Sequence, residues 1–326
     1  MKLFNLRWIL LMGFLVGSVL AEDVSSAEMR KKADAGEASA QFYIGMNYEL
    51  GNDVAKNIAE AVKWYRKAAD QGHSSAQAQL GYLYDTGTGL PKDSAEAVKW
   101  YRKAAEQGSA TAQYNLGWMY SNGEGVPKDS AEAVKWYRLA ADQGIASAQF
   151  NLGLKYYNGE GVPKDSAEAV KWYLKAAEQG YASAQNSLGW MYKIGNGVPK
   201  DSAEAVKWYR KAADQGYASA QFNLGLMYDN GEGVPKDSAG AVRWYRKAAE
   251  QGNDDAQNNL GLMYAKGEGV PKDLVQAHVW MNVAGAAGSD DAKKNLAILE
   301  KKMTPEQKAE AMKLARELFA MLPKTK

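Results

Sequence analysis

The chain has 326 residues, 46% hydrophobic and 24% charged, which excludes wholesale disorder; at about 100–200 residues per domain it suggests two domains, unless a repeat overrides that prior. With 40 basic against 38 acidic residues and a formal charge of +2, there is no cationic excess to hold a nucleic acid. Zero cysteines exclude disulfides, thiolate metal sites and cysteine nucleophiles, and two histidines leave little scope for imidazole chemistry.

The first element, residues 1–21, has the three parts of a secretory signal. Lys2 and Arg7 supply a positive start, and Trp8 to Val19 is an apolar run interrupted by Gly13, Gly17 and Ser18. Val19-Leu20-Ala21 has the small-residue spacing of a cleavage site, so cleavage is expected after Ala21, before Glu22. The run is shorter than the roughly 20 residues of a comfortable membrane span. A bacterial lipoprotein would need a cysteine at that site. The expectation is a periplasmic or secreted chain with no stable membrane span after cleavage, an uncleaved anchor being the alternative. Losing Lys2 and Arg7 leaves the mature chain neutral. An exported chain without disulfides is held by its core alone.

From there a single unit recurs. Trp64, Trp100, Trp136, Trp172, Trp208, Trp244 and Trp280 are spaced at 36 residues without a slip; Tyr follows the first six and Met281 the last. A second ladder keeps the same step: Leu80-Gly81, Leu116-Gly117, Leu152-Gly153, Leu188-Gly189, Leu224-Gly225 and Leu260-Gly261, preceded by Ile44-Gly45 and ended by Leu296-Ala297. Such regularity means stacked supersecondary units. Within one unit, Ala112, Leu116, Met119 and Tyr120 mark the apolar face of a first helix. Gly117 sits on it despite costing roughly 1 kcal/mol relative to Ala, so a neighbour must approach closely there. Gly123-Glu124-Gly125-Val126-Pro127 breaks the helix. A second helix starts at Asp129, three residues before Glu132, as in a capping box, and buries Ala133, Trp136, Tyr137, Ala140 and Ala141. Gln143-Gly144 ends it with a glycine suited to the left-handed position. No single hairpin buries its Trp alone, so neighbours must stack. The expected fold is all-α: a right-handed α-solenoid of helix–loop–helix repeats over residues 22–299, about seven in number, followed by a capping helix and tail over 300–326. Thr304-Pro305-Glu306-Gln307 starts that helix, and Ala311, Met312, Leu314, Ala315, Leu318 and Phe319 form a face able to cover the last repeat.

Ala-Gln-x-x-Leu-Gly-x-x-Tyr, then Gly-x-Gly-Val-Pro-Lys-Asp, then Ala-Val-x-Trp-Tyr-x-x-Ala-Ala-x-Gln-Gly resembles the Sel1-like repeat family, relatives of the tetratricopeptide repeats with a longer inter-helix loop. The resemblance covers about Ser39 to Leu296, and the Met303-Thr304-Pro305-Glu306-Gln307 tail looks like that of many bacterial members. It implies a scaffold or adaptor that binds other proteins. Exported bacterial members act in host interaction and virulence, in envelope signalling, and as periplasmic immunity proteins against toxic effectors. A cysteine-rich branch was described as binding or cleaving β-lactams; a chain without cysteine departs from it, and that activity is not carried over.

Repeat copies can be compared with one another. On the first helices, residues two beyond the core Ala and two beyond the core Leu share a face expected to lie opposite the buried stripe. They read Phe42/Met46, Ala78/Tyr82, Tyr114/Trp118, Phe150/Leu154, Asn186/Trp190, Phe222/Leu226 and Asn258/Leu262. If first helices line the inner curve, as resemblance to tetratricopeptide proteins implies, this is an aromatic-rich groove whose Trp and Tyr suit binding hot spots. The competing reading is packing between adjacent first helices. Asn115, Asn151, Asn223 and Asn259 could hold an extended peptide backbone or bond a neighbouring turn. The candidate partner-binding residues are therefore Tyr82, Tyr114, Asn115, Trp118, Phe150, Asn151, Asn186, Trp190, Phe222 and Asn223.

Catalysis finds no footing. The Gly-x-Gly loops follow helices and lack a Gly-Lys-Ser/Thr ending, so they are not P-loops. Glu124, Glu160, Glu232 and Glu268 read as solvated turn residues. His73 starts a first helix, His278 replaces the Val98-type residue of a second helix, and the two are too far apart in a linear stack to share a site. No Ser-His-Asp group or metal cluster assembles from the remainder. The expectation is a monomeric, cofactor-free interaction scaffold for a protein or peptide. The narrower alternative is an immunity or inhibitor protein against one cognate enzyme. A β-lactam or cell-wall hydrolase stands furthest from the residues, and a purely structural role is also open.

Overall fold

The computed structural model describes residues 26–323, which form seventeen α-helices and no strand. The leader and cleavage site expected at residues 1–21 lie outside the described residues. The chain divides into two compact units at Gln143/Gly144, the junction between two hairpins.

The first unit runs from α1 (Ser26–Asp34) through the pairs α2 (Ala38–Leu50)/α3 (Ile58–Asp70), α4 (Ser74–Thr86)/α5 (Ser94–Glu106) and α6 (Ala110–Asn122)/α7 (Ser130–Asp142). Nothing in the repeat pattern predicts α1. It seals the open end of the first hairpin, with Met29 and Ala33 packed on Ala40, Ile44 and Trp64. Trp100 of α5 packs into the cluster formed by Ala61, Tyr65 and Ala68 of α3 and Leu80 and Leu83 of α4, so it is buried between the preceding second helix and the first helix of its own hairpin.

The second unit contains α8 (Ala146–Asn158)/α9 (Ser166–Glu178), α10 (Ala182–Ile194)/α11 (Ser202–Asp214), α12 (Ala218–Asn230)/α13 (Ser238–Ala249), α14 (Asp254–Lys266)/α15 (Leu274–Ala286), then α16 (Asp290–Glu300) and α17 (Pro305–Met321). Trp208 packs on Tyr173, Leu188 and Met191, and Trp280 on Tyr245, Leu260 and Met263, in the same scheme. The last helix lies against α15 with Ala311 and Ala315 buried. Met312 and Phe319, expected on its inner face, are 41% and 51% exposed; Leu314 and Leu318 do the covering.

Local chemistry explains why these segments are helices, with one correction. Asp93 and Asp129 cap their helices, accepting from the N–H groups of Glu96 and Glu132 at 3.0 Å each. The glutamates do not complete a reciprocal box. Glu132 instead accepts from Lys135 (3.3 Å) and from the indole N–H of Trp136 (3.1 Å), and Glu168 does the same for Lys171 and Trp172. A buried indole donor needs an acceptor, and the carboxylate one turn back is in reach. The reciprocal box forms at Thr304/Gln307.

The glycines have three distinct jobs. Gly123 ends α6 at φ 75°. Gly125 lets the loop lie against the preceding hairpin: a Cβ there would stand 2.1 Å from the Ser94 carbonyl oxygen, and Gly233 repeats this against Ser202 at 2.1 Å. The helical Gly117 faces its partner helix, where a Cβ would fall 2.8 Å from the Tyr137 ring.

A polar relay also joins the hairpins. Gln107 donates to Gln77 (2.7 Å), and Gln77 donates to the Ala69 carbonyl at the end of the preceding second helix (3.1 Å). Gln251, Gln221 and Ala213 repeat it at 2.7 and 3.1 Å. The inner glutamines are buried, so the relay satisfies polar groups that water does not reach.

Candidate functional site

Of the nominated residues, Tyr82, Tyr114, Asn115 and Trp118 belong to the first unit and Phe150, Asn151, Asn186, Trp190, Phe222 and Asn223 to the second. All are half-buried except Trp190, which is 37% exposed. The aromatics lean on the second helices rather than standing opposite the buried stripe. The Tyr114 and Tyr137 ring centroids are 5.9 Å apart, Phe150 lies 5.7 Å from Tyr173 and 5.3 Å from Tyr181, and Phe222 lies 6.0 Å from Tyr245. The reason is helical geometry: Tyr114 and Gly117 are three apart and share a face, and one Tyr ring covers both. Tyr82 packs on the cluster around Tyr65 and Leu80. Packing between helices therefore accounts for most of these side chains.

The same packing brings the second-helix tyrosine hydroxyls to the first-helix surface. The Tyr65 hydroxyl donates to Glu49 at 2.5 Å, and Gln79 of the next hairpin donates to the same carboxylate at 2.9 Å. Tyr101 stands against Asp85 and Asn115, and Tyr245 against Asp229 (3.5 Å) and Asn259. Burial raises the Tyr101, Tyr173, Tyr209 and Tyr245 phenols above their ordinary value, which keeps them protonated donors. Burial likewise raises the Asp85 carboxyl. The Tyr65, Tyr101 and Tyr245 hydroxyls are thus closed off by an acid from their own hairpin and an amide from the next. Reading the tyrosines only as core residues misses this; the recurrence of Glu49, Asp85 and Asp229 at one repeat position was the available signal.

At the start of the second unit that closure is absent. Tyr157 occupies the acid position and Ser187 the amide position beside Tyr173. The result is a recess of about 170 Å³ lined by Leu154, Tyr157, Tyr173, Asn186, Ser187, Trp190, Met191 and Asn223. Tyr157 and Trp190 meet edge-to-face, 5.7 Å between centroids at 84°. The Asn223 amide donates to the Asn186 oxygen at 3.0 Å. Three nominated residues, Asn186, Trp190 and Asn223, are brought together here. In the following hairpin Lys193 takes the acid position and turns to Glu232 (3.8 Å), and among the described residues the buried Tyr209 hydroxyl has no partner.

The remaining titratable residues have structural roles. His73 caps α4, its Nδ1 accepting from the Ala76 N–H at 3.2 Å, and its ring stacks 4.9 Å from Phe42. Fully buried His278 meets Glu300 at 3.1 Å through Nε2. The loop glutamates form ion pairs: Glu160 with Lys155 (2.6 Å), Glu268 with Lys266 (3.7 Å) and Glu124 with Lys92 (4.0 Å). Lys155 is buried at a position occupied elsewhere by Met119, Met191, Met227 and Met263. Among the described residues no cluster of three or more His, Asp or Glu could hold a metal ion, and no helix is long and apolar enough to cross a membrane.

Comparison with known proteins agrees with this architecture. A Sel1 repeat protein from Oxalobacter formigenes is 38% identical, with a TM-score of 0.69 over 88% of this chain and 85% of the other. A protective antigen present in uropathogenic Escherichia coli strains, displaying an SLR fold, is 30% identical, with a TM-score of 0.54 over 92% of this chain and 95% of the other. No curated protein matches the chain. Seven consecutive matches to the Sel1 repeat run without a gap from residue 38 to residue 289, the first at 38–73 and the last at 254–289. The chain belongs to the Sel1 repeat family, whose stacked hairpins form a scaffold suited to protein–protein interaction.

Proposed function

We propose that this chain is an exported, non-enzymatic scaffold that binds a protein or peptide through its first-helix face, the face expected to line the inner curve of the stack. The observation that carries this reading is the recess at Trp190. An exposed Trp beside Tyr157, over amide and hydroxyl groups, is what a protein interface uses as an anchor point. Export is supported by the leader-like pattern from Lys2 to Ala21, and agrees with the similarity to a protein described as a protective antigen of Escherichia coli.

Affinity capture from periplasmic extract tests the reading, with chain beginning at Glu22 as bait. A parallel bait carries Tyr114→Ala, Trp118→Ala and Trp190→Ala. A protein held by the first bait and lost by the second, with helical circular dichroism unchanged, supports binding on this face. Equal retention moves the site to the loops or the second helices. Finding the intact leader on the chain in the cytoplasm would end the exported part of the reading.

A further inference from the structure

We infer that the Trp190 recess binds an extended, acidic peptide segment, anchored by one uncharged apolar side chain. The inference rests on the scaffold reading and names the partner's chemistry. Its volume of about 170 Å³ is below the roughly 300 Å³ at which pockets begin to take whole small molecules, and suits a single side chain. No charged residue lines it: Leu154, Met191 and the Tyr157–Trp190 pair form its apolar walls. A charged anchor would lose its hydration there with no counter-charge to replace it.

Two features call for a peptide backbone. Tyr173 is 2% exposed and lines the recess, yet among the described residues no group accepts from its hydroxyl, because Tyr157 stands where Asp229 serves Tyr245. An entering carbonyl would supply that acceptor. The Asn223–Asn186 bond leaves one amide N–H₂ and one amide oxygen unused, a donor and acceptor set matched to a peptide group. A helical partner has its own backbone groups satisfied internally, whereas an extended one presents them.

Charge then sets the flanks. The Lys164 ammonium lies 5.6 Å from the Tyr157 ring centroid. Lys193, one turn beyond Trp190 on α10, meets Glu232 only at 3.8 Å. Two cations beside a neutral recess favour carboxylates on either side of the anchor.

The chain's own repeats provide variants that the fold already tolerates. Tyr157→Asp installs the residue found at Asp85 and Asp229, and Trp190→Leu the residue found at Leu154 and Leu226. Backbone-amide NMR of the full mature chain would be followed while titrating blocked peptides Glu-Glu-Phe-Glu-Glu, Lys-Lys-Phe-Lys-Lys and Glu-Glu-Ser-Glu-Glu. The first peptide should shift the signals of Ser187, Trp190 and Asn223, with at least about tenfold weaker binding for the other two and for Tyr157→Asp. Trp190→Leu should weaken it several-fold. Unmoved signals, equal binding of the lysine peptide, or undiminished binding to Tyr157→Asp would each overturn the inference. None of those results decides the scaffold reading, which falls instead if capture retains nothing; equal retention by both baits moves the binding site off this face.

Discussion

Replacing the helical glycine Gly225 with alanine should destabilise the protein, although the same change in an ordinary helix is favourable. Helix propensity alone would gain about 0.5–1 kcal/mol. In this structure the new Cβ would stand 2.6 and 2.7 Å from two carbons of the Tyr245 ring, where ordinary contact begins near 3.4 Å. The ring is fully buried and tilted against Phe222 at 6.0 Å, so it has little room to retreat. Overpacking of this kind costs typically about 1–3 kcal/mol. The net expectation is a loss of about 1–2 kcal/mol, read from urea unfolding followed by circular dichroism. A double-mutant cycle gives the discriminating result. In a Tyr245→Ala background the ring is gone, so Gly225→Ala should become stabilising by about 0.5–1 kcal/mol. If Gly225→Ala stabilises the otherwise unaltered chain, close approach of the ring is not why glycine recurs there.

Three further outcomes follow from the same packing. Lys155→Met, which restores the residue of four other repeats, should stabilise by about 1–2 kcal/mol, since the buried cation of an ion pair is replaced by an apolar side chain; Glu160, 45% exposed on its side chain, stays in water. A lower urea midpoint would count against that. Gln221→Leu breaks the relay between Gln251 and Ala213 and should cost about 0.5–1.5 kcal/mol per hydrogen bond lost, since the Ala213 carbonyl keeps the Gly216 N–H at 3.0 Å; an unchanged midpoint would show that water replaces the lost bonds. Burial lowers the His73 pKa, so the folded state holds the ring neutral, and Nδ1 must be unprotonated to cap Ala76. As pH falls below about 6.5 the unfolded chain takes up the proton first, and stability is lost from there down through the folded-state pKa. His73→Ser, the residue present at Ser109, should flatten that slope in pH-dependent melts.

Much of the architecture was legible because the repeat is so regular. Trp and Leu-Gly at a constant step of 36 residues specify hairpins that must stack, and the glycine at Gly117 already signalled a close approach. What approaches, the Tyr137 ring, was not legible, since periodicity marks a buried position without naming its neighbour. The N-terminal helix α1 carries no repeat signature and buries two side chains, Met29 and Ala33, against the first hairpin.

The candidate site was legible only in part. Asn186 and Trp190 were placed on one helical face and Asn223 among the asparagines beside it, and the three do converge, whereas Tyr82, Tyr114, Phe150 and Phe222 serve mainly as packing. Tyr157 and Ser187, which open the recess, lie just off the periodic positions that mark the repeat. By itself the sequence determined the period, the helices, their caps and breaks, and the absence of disulfide and thiolate chemistry. Tertiary structure decided which tyrosine hydroxyls are satisfied and which one faces an opening. That depends on three side chains from two successive hairpins meeting at one point, and a one-dimensional period records only what each repeat has in common, not where one of them departs and leaves space.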